Sequence, residues 1–521
     1  MTWRFVLATG TLALLATGAR AQEMLSDPTF AAGKPAFALQ GWEPMGLPEG
    51  LIKPITDQSG VVLSTAFTWT PGAAEAWEGG IAAPMTEVLP GRRYVFEVEA
   101  RGQGRLSLGM QEYGWKYAAA VLSEAHREFA LPPTNATLSF EYTPTADRIA
   151  FVRPFVAVRG WRCRAELRRA SLKPRQSPAD ISVRAGHFIV AAGEPIEITV
   201  KSPSYPVKFL LYGPSGSSGP GGELGGADAF VDVFKTSVAV PGKPGGQVTY
   251  PLPMGPAATE GSYRLVAVDP ASGASAAAHF AVGPKDRVRE ILDLVRKVNL
   301  PAGSRLVFVG DSLTANFPNR NYPALIERAF RWRFNGAVEV INAGIGGDNI
   351  TMIAARLDRD VIQRNPTHVF LFEGANDCKR VYQPPTGQLG PWNVPVDKYE
   401  TSFRDVLSRL AGKNIKVIVM TMAPGDQTIL EDFLTQKKIF GDAGSVFCLP
   451  AEVSKAVEMQ KKIAAEFKAE VIDTHAILTD NMARREKSGK QQFLHVDDGV
   501  HLSEYGNRDV ALAVLHYLAG D

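Results

Sequence analysis

Four short strings in the last half of the chain carry residue types that together could cleave an ester: Gly310-Asp311-Ser312-Leu313, Asn342-Ala343-Gly344-Ile345-Gly346-Gly347-Asp348, Glu373-Gly374-Ala375-Asn376-Asp377 and Asp497-Asp498-Gly499-Val500-His501. The Ser312 hydroxyl becomes a nucleophile once a base removes its proton, and His501 is the candidate base. Asp498, three positions before it, can hold the imidazole Nδ1–H while Nε2 faces the serine. The N–H groups of Ser312 and Gly347 and the uncharged side-chain amide of Asn376 suit a developing oxyanion.

Each string also has an ordinary reading. Serine is a preferred helix cap, a glycine run makes a turn, and an Asn-Asp pair closes a strand end. A lone histidine is more often structural. His475 and His495, with Asp473 and Asp497, are set aside because neither pairing matches the Asp498–His501 spacing before a helix as well. The glycine string lacks the last glycine of a dinucleotide fingerprint.

The elements around the strings favour chemistry. After Pro284, short apolar runs alternate with longer amphipathic ones. The runs are Leu306 to Val309, Val338 to Ile341, His368 to Phe372, Ile415 to Met420 and Glu470 to Ile472; helical spacing marks Lys285 to Lys297, Tyr322 to Arg333, Thr351 to Gln363, Asp397 to Ala411, Ala451 to Phe467 and Ser503 to Ala519. Such alternation predicts a parallel sheet covered on both faces, with sites at the carboxyl ends of its strands. Ser312 is expected in a tight turn permitted by Gly310, capping the helix that follows.

The preceding residues read as all-β. Between about residues 23 and 175, runs such as Tyr94 to Glu99 and Thr137 to Tyr142 alternate with period two and are separated by Gly, Pro and Asn, which predicts an antiparallel sandwich. Five of the eight Trp fall here, at 42, 69, 77, 115 and 161; they are core residues or a platform for sugar rings. The strand pattern resembles jelly-roll carbohydrate-binding modules. A second region, about 180 to 282, has the length and strand spacing of an immunoglobulin-like sandwich and carries no catalytic constellation. It is expected to be a spacer or an interdomain wall.

With all four strings on such a scaffold, residues 304 to 521 resemble the SGNH hydrolases, the GDSL-type esterase and lipase superfamily. The signature residues fall on Ser312, Gly347, Asn376 and His501, with the triad acid on Asp498. The resemblance implies a three-layer, flavodoxin-like α/β domain, no metal and no other cofactor, and serine attack through an acyl-enzyme. Two inserts, Val381 to Pro395 and Pro424 to Pro450, depart from compact members and are expected to rim the pocket.

At 521 residues the chain fits three domains, and its formal charge of +2 with no basic block gives no reason to expect nucleic acid as a partner. Arg4, an apolar run from Phe5 to Gly18 and Ala19-Arg20-Ala21 read as an export signal over residues 1–21, shorter than the roughly 20 apolar residues of a membrane span. A secreted or periplasmic protein is expected, with no membrane span. Cys378 and Cys448 are either bridged, which would stabilise by about 2–4 kcal/mol, or buried thiols. Cys163 reads as a core residue. The resulting expectation is an exported carbohydrate esterase acting on an acetylated polysaccharide or oligosaccharide. The rivals are a lipase or arylesterase, a polysaccharide O-acetyltransferase, and a non-catalytic glycan-binding protein.

Overall fold

The computed structural model describes residues 43–45, 52–56, 62–69, 78–83, 86–89, 91–113, 123–144, 151–159, 163–175, 181–214, 232–315, 319–383, 386, 388–413, 415–427, 431, 444–487, 494–495 and 499–521. The expected export signal, Trp42, Trp77, Trp115, Trp161 and Asp498 lie outside them, as do the side chains of Trp69 and Cys163.

The first β region forms two antiparallel sheets. One runs Glu43–Met45, Glu78–Ala82, Phe151–Arg159, Arg105–Tyr113, Ser123–Ala130, with Thr86–Glu87 on Phe151–Arg159; the other runs Ile52–Thr56, Val62–Trp69, Cys163–Pro174, Tyr94–Gln103, Ala136–Tyr142. Tyr94, Phe96, Val98 and Ala100 are buried while the residues between them are not, and they meet Leu106, Leu108, Val152, Val156 and Leu167 in one core. The period-two pattern thus becomes two apolar faces pressed together.

The second β region is also a sandwich. A three-stranded sheet of Ser182–Ala185, Ile196–Lys201 and Gln247–Leu252 faces a sheet ordered Ile189–Ala191, Ser275–Gly283, Gly261–Val268, Val207–Pro214, Asp232–Val240. Its outer side meets the first sandwich through Leu89, which packs with Leu210, Tyr212 and Val266. Ile189 and Ala191 extend into the core of the α/β domain, and the Phe188 ring meets Trp332 tilted, at 5.4 Å.

The α/β domain follows the predicted alternation: helix α1 (Lys285–Lys297), strand β1 (Arg305–Gly310), a single turn α2 (Ser312–Ala315), α3 (Tyr322–Phe334), β2 (Glu339–Gly344), α4 (Ile350–Asp360), β3 (His368–Phe372), α5 (Val396–Ala411), β4 (Lys416–Met420), α6 (Pro450–Glu466), β5 (Glu470–Ile472), α7 (Thr474–Lys487) and α8 (Glu504–Ala519). The strands are parallel in the order β2-β1-β3-β4-β5. Phe308, Phe370, Ile418 and Met420 on one face are covered by α1, α3 and α8; Val307, Val309, Leu371 and Val419 on the other by α4, α5 and α6. Burial on both faces explains why these strands read as unbroken apolar runs.

Helix α4 ends earlier than its periodicity suggests. A 3-10 turn, Ile362–Arg364, takes over, and Asn365 then adopts the left-handed conformation at φ 51° ahead of Pro366. Helix α7 escapes sequence reading because only scattered residues such as Leu478 face the core. Among the described residues no helix is long and apolar enough to cross a membrane.

The two inserts form one unit. Arg380–Gln383 pairs with Gln388–Leu389 on one side and with Gly444–Val446 of the second insert on the other. Trp392 is buried, meets Tyr399 edge-on at 5.9 Å and donates to Glu452 at 2.5 Å, so it anchors its insert to the domain. Cys378 and Cys448 are both buried thiols, which decides the alternative that spacing left open.

Candidate active site

The first string sits where β1 ends. A Cβ at Gly310 would stand 2.0 Å from the Phe372 carbonyl oxygen, so only glycine lets β1 and β3 lie this close at the turn. The structure corrects one expectation: Asp311, not Ser312, caps α2. Asp311 Oδ1 accepts from the Leu313 N–H at 2.8 Å, and its carbonyl accepts from Thr314 and Ala315. Aspartate caps as well as serine does, and with the cap supplied one residue earlier the Ser312 hydroxyl is released from that duty. It meets His501 Nε2 at 2.8 Å, across 189 positions of sequence.

His501 is held by a closed loop. His495 and Leu502 form an antiparallel bridge, Ser503 N–H donates to the Leu494 carbonyl at 2.7 Å, and the Gly499 carbonyl accepts from Asp426 N–H at 2.9 Å. Ser503 then caps α8 by accepting from the N–H groups of Tyr505 and Gly506. The expected acid, Asp498, lies outside the described residues.

Gly347 closes the turn after β2 at φ +78°, a conformation that favours glycine, and a Cβ there would meet open space. The N–H groups of Ser312 and Gly347 have no acceptor among the described residues. Asn376 is buried; its amide donates to the Asp348 carbonyl at 2.9 Å and reaches Asp311 Oδ2 at 3.4 Å. Asn393 of the first insert binds the Asn376 carbonyl at 2.9 Å, and His495 Nε2 lies 2.8 Å from the Pro424 carbonyl of the second. Both inserts therefore brace site loops.

The strings of Ser312, Gly347 and Asn376 are thus brought together at the carboxyl ends of β1, β2 and β3, and the His501 loop meets them there. Of the residues set aside, Asp473 binds Lys461 and Thr421, and the buried His495 binds the Pro424 carbonyl. Sequence reasoning missed the supporting residues. Arg356 binds Asp348 Oδ2 at 2.6 Å and the Gly310 carbonyl at 3.2 Å while 4% exposed. Its place beside Ile353 and Leu357 on the buried stripe of α4 was the available signal.

The electrostatics follow from burial. The Asp311 carboxyl, fully buried, is pushed up to about 7 by desolvation, although the Leu313 N–H and His501 pull it down. Burial and the adjacent Asp377 charge raise Glu373 well above the usual carboxylate range. Low-dielectric surroundings disfavour the charged form of each acid.

A parallel sheet in this order, with a serine–histidine contact at its carboxyl edge, defines an α/β hydrolytic domain. Residues 308–508 match the GDSL-like Lipase/Acylhydrolase family. Over 137 residues, 24% of the chain, it is 26% identical to an acetylxylan esterase of Geobacillus stearothermophilus and spans 62% of that protein's length. Among solved structures, an alpha/beta hydrolase enzyme from the metagenome of Lake Arreo, Spain, is similar with TM-score 0.33 and 20% identity, covering 42% of this chain and 97% of that one. The acetylxylan esterase Axe2 of G. stearothermophilus gives TM-score 0.33 and 22% identity over 43% and 97% of the two chains.

Proposed function

We propose that the chain is a serine ester hydrolase working through an acyl-enzyme, with acetyl esters of a carbohydrate as its substrate. The observation that carries this reading is the 2.8 Å contact from Ser312 Oγ to His501 Nε2. His501 takes the serine proton as Oγ attacks the ester carbonyl. The oxyanion is received by the N–H groups of Ser312 and Gly347 and by one hydrogen of the Asn376 amide, whose 3.4 Å contact with Asp311 is long enough to be exchanged for it. Asp498, three positions earlier in the chain, orients His501. His501 then protonates the leaving alcohol and activates the water that releases the acid.

The acetyl-sugar assignment is supported by the likeness to an acetylxylan esterase and fits the export-type sequence pattern expected over residues 1–21. In the first sandwich, the Trp-rich segments would hold the polysaccharide. The test compares the full chain with Ser312→Ala on a small acetyl ester, then measures acetate release from acetylated xylan and pectin beside long-chain acyl esters. Equal rates for the two proteins would favour a non-catalytic glycan-binding protein. Preference for long chains would favour a lipase.

A further inference from the structure

Glu373 and Asp377 stand on either side of Asn376 in the turn after β3, and both are buried, 2% and 0% exposed. One oxygen of each is well supplied. Glu373 Oε1 accepts from the Tyr399 hydroxyl at 2.9 Å and from Gln460 Nε2 at 3.3 Å; Asp377 Oδ1 accepts from the Ile350 N–H at 3.0 Å. The remaining oxygens, Glu373 Oε2 and Asp377 Oδ2, meet no donor among the described residues, yet the two carboxyl groups adjoin.

Two carboxylate oxygens facing each other in a dry interior would carry both a desolvation cost and mutual repulsion. A single proton between them removes both. Its location follows from the surroundings: Asp377 faces the amino end of α4, where backbone N–H groups favour negative charge, and Glu373 faces only the neutral Tyr399 and Gln460. Of the charged neighbours, Asp348 is paired with Arg356, Asp311 lies across the Asn376 amide, and Glu452 is tied to Arg380 and Trp392. Cys378, next in the chain, is a buried thiol.

We propose that Glu373 is a protonated carboxylic acid donating its Oε2 hydrogen to Asp377 Oδ2, and that this bond positions the Asn376 amide as an oxyanion donor. The positioning half rests on the ester-hydrolase reading above. The bond links the side chains of the first and last residues of Glu373-Gly374-Ala375-Asn376-Asp377, which the Asp377 N–H to Gly374 carbonyl bond at 3.1 Å already folds back. Burial and the Asp377 charge both keep the proton on Glu373, while the Ile350 N–H at the amino end of α4 favours the charge on Asp377.

The experiment uses the full chain and two variants. Glu373→Gln keeps a donor toward Asp377 and an acceptor toward Tyr399, so it should retain kcat within about threefold and lose any fall in activity that Glu373 ionisation causes at high pH. Glu373→Leu removes the donor and should lower kcat by about tenfold or more with KM little changed. Infrared difference spectra at neutral pH should contain a protonated-carboxyl stretch in the unaltered chain that Glu373→Gln lacks. Absence of that band overturns the shared proton, whether or not the chain hydrolyses esters. A Glu373→Gln variant as slow as Glu373→Leu, or a Glu373→Leu variant at full kcat, overturns the positioning role. An unaltered chain without esterase activity sinks the ester-hydrolase reading and the positioning half with it, and leaves the infrared result to decide the proton.

Discussion

Arg356 donates to the Gly310 carbonyl oxygen at 3.2 Å, so the helix after the second site string grips the last residue of the strand that presents the first. The same guanidinium binds Asp348 at 2.6 Å and reaches Asp360 at 3.4 Å. With Arg356 only 4% exposed, removing it strands the Asp348 carboxylate, 1% exposed, without its counter-charge. Arg356→Met should lower unfolding stability by about 3–5 kcal/mol, and adding Asp348→Leu should recover part of it, because the cost lies in the unpaired charge. Urea unfolding of the single and double variants measures both; a double variant no better than the single would refute the buried-pair account.

Asn376→Ala should lower kcat by about 10²–10³ with little change in KM, since an oxyanion donor acts mainly in the transition state. Steady-state kinetics on a small acetyl ester test this. Full activity in the variant would remove Asn376 from the donor set.

Asp311 gives the protein a measurable pH signature. Its carboxyl goes from an ordinary 3.8 to about 7 on folding, so the native state binds more protons than the unfolded chain between those values. The stability contributed by protonation is full below the lower value and is lost as pH rises through the higher one, at roughly 1.4 kcal/mol per pH unit while both states differ fully. Asp311→Asn keeps a capping acceptor and cannot ionise. Urea unfolding across this range should show a stability difference from the unaltered chain that changes with pH; a flat difference would contradict a raised Asp311.

Glu87 acts in the opposite sense. This first-sandwich residue binds Arg264 at 3.1 Å and His279 at 3.3 Å in the second sandwich, and Asn319 in the α/β domain. Burial alone would raise its carboxyl, but His279 and Arg264 outweigh it and bring it down to about 2. The folded pKa is depressed, so the stabilisation is present above the ordinary 4.5 and is lost as pH falls through about 2. Glu87→Gln should cost about 1.5–3 kcal/mol at neutral pH, with the deficit shrinking in acid. Denaturant unfolding at neutral and acidic pH checks the sign; a deficit that grows in acid would overturn it.

Much of this molecule is legible locally. Leu306 to Val309 and His368 to Phe372 read as buried parallel strands because both faces are covered, and Gly310 and Gly347 mark turns that a side chain would obstruct or strain. The strings of Ser312, Gly347, Asn376 and His501 are recognisable because strand ends and helix starts impose residue types over a few positions.

Sequence could not assign the cap at the turn that carries Ser312. Asp311 and Ser312 are both good capping residues, and only the folded turn sends the aspartate to the Leu313 N–H and the hydroxyl to His501. Nor could it foresee that Trp392 would be a buried anchor, that strands of the two inserts would pair, or that Glu373 and Asp377 would adjoin in a dry interior.

What the sequence determined by itself was which residues could react and on which elements they ride, because hydrophobic period and turn chemistry act between near neighbours. What the tertiary structure decided was which of them meet and in what state of charge. Contacts such as Ser312 with His501, and the burial that sets the protonation of Asp311 and Glu373, arise only when segments distant in sequence pack and exclude water between them.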